Sequence, residues 1–104
     1  MSLPDNPKSR PHYVELWVKT SLADQLRRIR EEQGVSQMCL AAEARKSLNA
    51  VYKLEQANHA TNPRLQTLLD IAAALGMGLA VKLIPYSEVD AFYDEVARRE
   101  RNRT

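Results

Sequence analysis

Residues 34–54 read GVSQMCLAAEARKSLNAVYKL, and this stretch decides the fold. It contains two short helical patterns joined by a break too brief for an ordinary loop. The first runs from Ser36 to Ala44, with Leu40, Ala41 and Ala44 on one face. The second runs from Ser47 to Glu55, with Val51 and Leu54 at i, i+3. Ser36 and Ser47 each stand just before a pattern, where a hydroxyl accepts a bond from an orphan backbone N–H of the first turn. Ala41 is small where two steeply crossing helices must touch.

Two helices so joined read as a helix-turn-helix, whose second helix can enter a DNA major groove. The match extends on both sides. Gly34-Val-Ser-Gln-x-x-Leu40-Ala41-x-x-Ala44, then Val51 and Leu54-Glu55, then Asn62-Pro63-x-Leu65-x-Thr67-Leu68-x-x-Ile71-Ala72-x-Ala74-Leu75-Gly76 resembles the Cro and phage-repressor (XRE-type) helix-turn-helix family. The resemblance covers roughly Leu22 to Met77. It implies a mainly α fold: a four- to five-helix, lambda-repressor-like DNA-binding domain.

The bulk properties fit one domain. The chain has 104 residues, 44% of them hydrophobic, and no apolar run approaches the roughly 20 residues of a membrane span. The first residues, MSLPDNPKSRPHY, lack the apolar core of a secretory signal. A single cysteine, Cys39, allows no internal disulfide and fits a cytoplasmic protein. The net charge of +2 is too small to argue for nucleic acid by itself. Its distribution says more, because between Glu43 and Glu55 the only charges are Arg45, Lys46 and Lys53.

Taken in order, residues 1–12, with Pro4, Pro7 and Pro11, predict a disordered lead. Residues 13–84 form the DNA-binding domain around the motif at 36–55, and 85–104 a C-terminal helix and basic tail. Tyr13 to Lys19 (YVELWVK) alternates, with Val14, Leu16 and Val18 on one face, which predicts a β-strand. Leu79 to Ile84 (LAVKLI) alternates likewise and is its expected partner, so flanking N- and C-terminal strands are predicted, paired within one chain or between two. A terminal strand here is similar to the Hip-type antitoxin branch of the family, where it builds a dimer interface. Between the strands, Thr20 or Ser21 is expected to cap a helix with Leu22, Leu26 and Ile29 buried, ended by Gly34. Asn62 and Pro63 are expected to open a fourth helix whose apolar face is Leu65, Leu68, Leu69, Ile71, Ala72 and Leu75. Gln56 to Thr61 forms a polar connection. Ser87 to Arg99 predicts a last helix, with Val89, Phe92, Tyr93 and Val96 on one side. The resemblance further implies that Arg30 pairs with Glu55.

The chemistry of DNA reading assigns the contacts. Phosphate contacts set position, while side chains at the start of the second motif helix reach base edges. With Val51 and Leu54 inward, the outward residues are Ser47, Leu48, Asn49, Tyr52 and Lys53. Asn49 can pair bidentately with adenine, and Leu48, where the family often has a polar reader, can pack on a thymine methyl. Tyr52 and Lys53 can donate to phosphate or a base. Gln37 can offer a phosphate its side-chain amide or backbone N–H, as the family does, and Lys46 and Arg64 are further phosphate contacts. Departures from the family pattern are Arg45 at the usual turn glycine, Lys46 at the usual apolar position, and Ala57 in place of a common glycine.

An enzyme is not expected. His12 and His59 are isolated, no Cys or carboxylate cluster has metal spacing, and no phosphate-cradling loop or nucleophile–base arrangement occurs. Cys39 reads as a small, semi-buried filler. The expected protein is a cytoplasmic repressor without cofactor or metal, binding double-stranded DNA at a palindromic operator as a homodimer. The alternative is an antitoxin or antiactivator whose C-terminal strand and helix bind a protein partner, a toxin or a transcription activator.

Overall fold

The computed structural model describes residues 10–56 and 62–101. Among them are five helices: α1 (Arg10–Glu32), α2 (Gln37–Ala44), α3 (Leu48–Glu55), α4 (Leu65–Ala74) and α5 (Tyr86–Arg101). No described helix is long and apolar enough to cross a membrane. The chain divides into two compact units, Val14–Ala80 and, drawn from the chain ends, 1–13 with 81–104.

The core of the Val14–Ala80 unit comes from short helices that each bury one stripe. Leu26 of α1, Leu40, Ala41 and Ala44 of α2, Val51 and Leu54 of α3, Ile71 of α4 and Leu75 just beyond it form one cluster, and Leu22, Ile29 and Leu68 pack against it. Leu40, Val51 and Ile71 are its largest fully buried side chains. Isolated eight-residue helices are unstable in water, so α2 and α3 owe their existence to this cluster and to their caps. Ser36 Oγ accepts from the Cys39 N–H and Ser47 Oγ from the Ala50 N–H, each at 3.0 Å.

The helix ends follow one geometry. Gly34 adopts φ +69° after α1; its N–H donates to the Glu31 carbonyl and that of Val35 to the Arg30 carbonyl, the paired bonds of a Schellman motif. Arg45 ends α2 in the same way. It has φ 57°, with the Arg45 N–H on the Ala42 carbonyl and the Lys46 N–H on the Ala41 carbonyl. The turn between α2 and α3 thus keeps its left-handed shape with a non-glycine residue at its pivot.

The flanking β-strands are not found: no strand occurs among the described residues. Tyr13–Lys19 lies inside α1, which begins at Arg10, within the span expected as a lead; residues 1–9 lie outside the described residues. Leu16 and Val18, which share a face with Val14 in the strand reading, are 45% and 46% exposed, while Tyr13, Val14 and Trp17 are half-buried. Glu15 and Lys19 pair at 2.8 Å across one helical turn. The reason is cooperative: extending a nucleated helix gains a hydrogen bond per residue, whereas a strand needs a partner. Residues 79–84 form no strand themselves, and their Val81 and Leu83 are 74% and 96% exposed. The expected caps Thr20 and Ser21 accordingly sit within α1, where Ser21 Oγ accepts from Gln25 Nε2.

The fourth helix also starts later than expected. Its N-cap is Arg64, without a side-chain cap bond, and Asn62 Oδ1 instead accepts from Lys19 Nζ at 3.0 Å. Leu65 and Leu69 face solvent, whereas Ile71, Ala72 and Leu75 are buried. The expected connection at 56–61, with Ala57 and His59, falls outside the described residues apart from Gln56.

The second unit is built on α5. Val89 and Tyr93 are buried, and Phe92 and Val96 half-buried, as the sequence pattern predicts. Tyr13 stacks on Tyr93 with ring centroids 6.5 Å apart and donates its hydroxyl to Asp90 Oδ1 at 3.1 Å. Burial, then the bond to Asp90, raises the Tyr13 pKa above its ordinary value.

Candidate nucleic-acid interface

The second motif helix is sharply two-sided. Inside it places Val51, Leu54 and Glu55, all buried. Outside it places Leu48, 46% exposed, and Tyr52, 49% exposed, with Asn49 and Lys53 exposed beside them. Four of the five expected outward residues therefore stand on one solvent face. The fifth, Ser47, is exposed too, but its hydroxyl is spent on the cap.

Glu55 fixes this helix to its neighbours. Its carboxylate accepts Arg30 Nε at 2.7 Å and Arg30 Nη2 at 2.9 Å, the bidentate form of a charge-assisted pair. Arg30 Nη1 also donates to the Val35 carbonyl, so one guanidinium ties the end of α1, the start of the motif and the end of α3. The bond to Glu55 raises the Arg30 pKa. Gln37 joins the same carboxylate through Nε2, at 3.1 Å. Its amide nitrogen is thus directed inward, and the orphan backbone N–H groups of α2's first turn are what that helix end offers outward.

Lys46 and Arg64 differ. The Lys46 ammonium pairs with Asp70 Oδ2 at 2.9 Å, and Gln66 Nε2 donates to Asp70 Oδ1 at 2.9 Å. The Gln66 bond first, then Lys46, holds the Asp70 carboxyl below its ordinary pKa. Arg64 is exposed at the start of α4. Asp70 and Gln66 were not predicted as parts of the site. Their i, i+4 spacing on a helix was the available signal.

Cys39 is exposed and free, rather than a semi-buried filler, because it falls on the outer side of α2, away from the buried stripe of Leu40, Ala41 and Ala44. His12 is exposed. Among the described residues, no group of three His, Cys, Asp or Glu side chains is placed to hold a metal ion.

A capped helix pair pivoting at Arg45, with a cation-bearing second helix facing solvent, defines a helix-turn-helix regulator of the DNA-binding type. The family model for the helix-turn-helix domain matches residues 21–82, more than half of the chain, and the chain belongs to that family. No curated protein matches it.

Proposed function

We propose that the protein is a transcriptional regulator of the Cro and phage-repressor type, binding a palindromic operator as a homodimer and repressing by occlusion. One observation carries this reading. The exposed face of α3 sets Asn49 beside Lys53, and the only acid from Arg45 to Gln56, Glu55, is buried against Arg30. In this account Asn49 reads adenine, Leu48 and Tyr52 meet neighbouring base edges, and Lys53 and Arg64 take phosphates. Gln37 contributes through its backbone N–H, Ser47 through the start of α3 that it caps, and Lys46 shares its charge between Asp70 and phosphate. The segment 85–104 serves assembly.

The test is selection from a random duplex library, followed by footprinting and by the mass of the complex in solution. The expected site has two protected half-sites with centres about one helical turn apart, occupied by two chains. Failure to enrich any sequence at low salt would sink the proposal.

A second reading, binding of a protein partner, is favoured by the exposure of Val81 and Leu83 outside any helix. If Leu83→Glu leaves operator binding intact yet abolishes regulation of a reporter in cells, that reading gains the upper hand.

A further inference from the structure

Helix α4 carries more apolar surface than one buried stripe uses. Of its ten residues, only Gln66, Thr67 and Asp70 are polar. Ile71, Ala72 and, just beyond the helix, Leu75 are buried, and Leu68 packs against the same core. A second stripe, Leu65, Leu69 and Ala73 at i, i+4 and i+8, is exposed. Met77 extends it, exposed as well, with its N–H on the Ala72 carbonyl at the helix end. A helix apolar on two sides calls for cover on both.

We propose that this second stripe is where the DNA-binding units of two copies of the chain meet on the operator, and that the contact fixes the spacing of the half-sites. The inference rests on the operator reading above and adds to it the surface through which the units touch, distinct from the assembly given to 85–104. Size points to the occupant. A free protein partner binds through roughly 20–30 residues a side, and the stripe offers four. So small a face holds only a molecule already placed beside it, where effective concentration replaces most of the cost of association. Adjacent half-sites place a second copy there. The stripe is also self-complementary. Across a two-fold axis each contact is made twice, residue i on j and j on i. With two stripes antiparallel about their middle, Leu69 of one copy meets the partner's Ala73, a large side chain against a small one. Asp70, the one charge on α4, is paired with Lys46 at 2.9 Å, so the axis brings no unpaired carboxylate against its copy.

The experiment titrates the full chain against the selected operator and against a duplex holding one half-site, using the wild type, Leu69→Gln and Ala73→Leu. Neither substitution changes the charge, and all four residue types suit a helix. Both variants are expected to lose about 5- to 150-fold on the operator, with half-site binding unchanged. Ala73→Leu is the sharper variant, because added apolar surface strengthens an unfitted sticky face but overpacks a fitted one. Two base pairs inserted between the half-sites are expected to weaken the wild type to the level of the variants. Operator binding that survives both substitutions overturns the inference and leaves the operator reading intact. So does a gain from Ala73→Leu, or an equal loss on the single half-site. A lower urea midpoint for free Leu69→Gln overturns it too, since the stripe would then be covered within its own chain. Failure to select any operator removes the operator reading and the inference together.

Discussion

Arg30 and Glu55 are joined by two near-parallel hydrogen bonds, Nε to Oε2 at 2.7 Å and Nη2 to Oε1 at 2.9 Å. Both side chains are largely enclosed, at 13% and 3% exposure. Removing one partner strands a buried charge, so Glu55→Ala should lower stability by about 3–5 kcal/mol. Gln37→Ala, which removes a single hydrogen bond to the same carboxylate, should cost about 1 kcal/mol. Urea unfolding of the two variants checks the ranking. Equal, small losses would mean that the pair is not the clamp that orients α3.

Arg45 turns the chain between α2 and α3 at φ 57°, a conformation that costs a side-chain-bearing residue about 1–2 kcal/mol. Glycine loses that strain but returns part of the gain as extra unfolded-state entropy, about 0.5–1 kcal/mol. Arg45→Gly is therefore expected to stabilise the domain by about 0.5–1 kcal/mol, read as a higher urea midpoint at constant m-value. A lower midpoint would show that the arginine side chain contributes more than its backbone strain removes.

Asp70 offsets the charge of Lys46 just before the reading helix. Its pKa in the folded state is depressed, by the Gln66 bond and then by Lys46. The sign follows: its contribution to stability is present above the unfolded carboxyl's range near ~4 and is lost as pH falls through the folded value. Asp70→Asn should flatten the acid limb of a stability–pH curve. With Lys46 uncompensated, the same variant should bind duplex DNA more tightly at low salt, with a log–log salt slope steeper by about 0.9. In that background Lys46→Ala should remove the gain, whereas in the wild type, where Lys46 divides its charge between Asp70 and phosphate, its effect on binding should be smaller. Additive effects of the two substitutions would show that Asp70 does not mask Lys46.

Much of the motif was legible because its signals are local. The serine caps precede apolar patterns of period 3.6, and Val51 and Leu54 fix the inner face of α3, which leaves Leu48, Asn49, Tyr52 and Lys53 outside. The segment Tyr13–Lys19 was ambiguous, since Val14, Leu16 and Val18 satisfy a period of two. The deciding signal was the Glu15–Lys19 spacing, which stabilises a helix and has no counterpart in a strand. In the site, exposure followed from sequence but engagement did not. Gln37 and Lys46 look free in a linear reading, and their partners Glu55 and Asp70 come from other helices. Cys39 misled because its residue type suggests burial, while its place on α2 faces away from the buried stripe of Leu40, Ala41 and Ala44.

The central claim is that the outward face of α3 reads bases through Asn49 and holds phosphates through Lys53. It is tested most directly by titrating Asn49→Ala and Lys53→Ala against the selected site and a random duplex over a range of salt. The account predicts that Asn49→Ala loses about 1–3 kcal/mol on the selected site alone, with preference relaxed at one base pair. It predicts that Lys53→Ala weakens binding to both duplexes and flattens the salt slope by about one. Equal losses from both variants on both duplexes would contradict it.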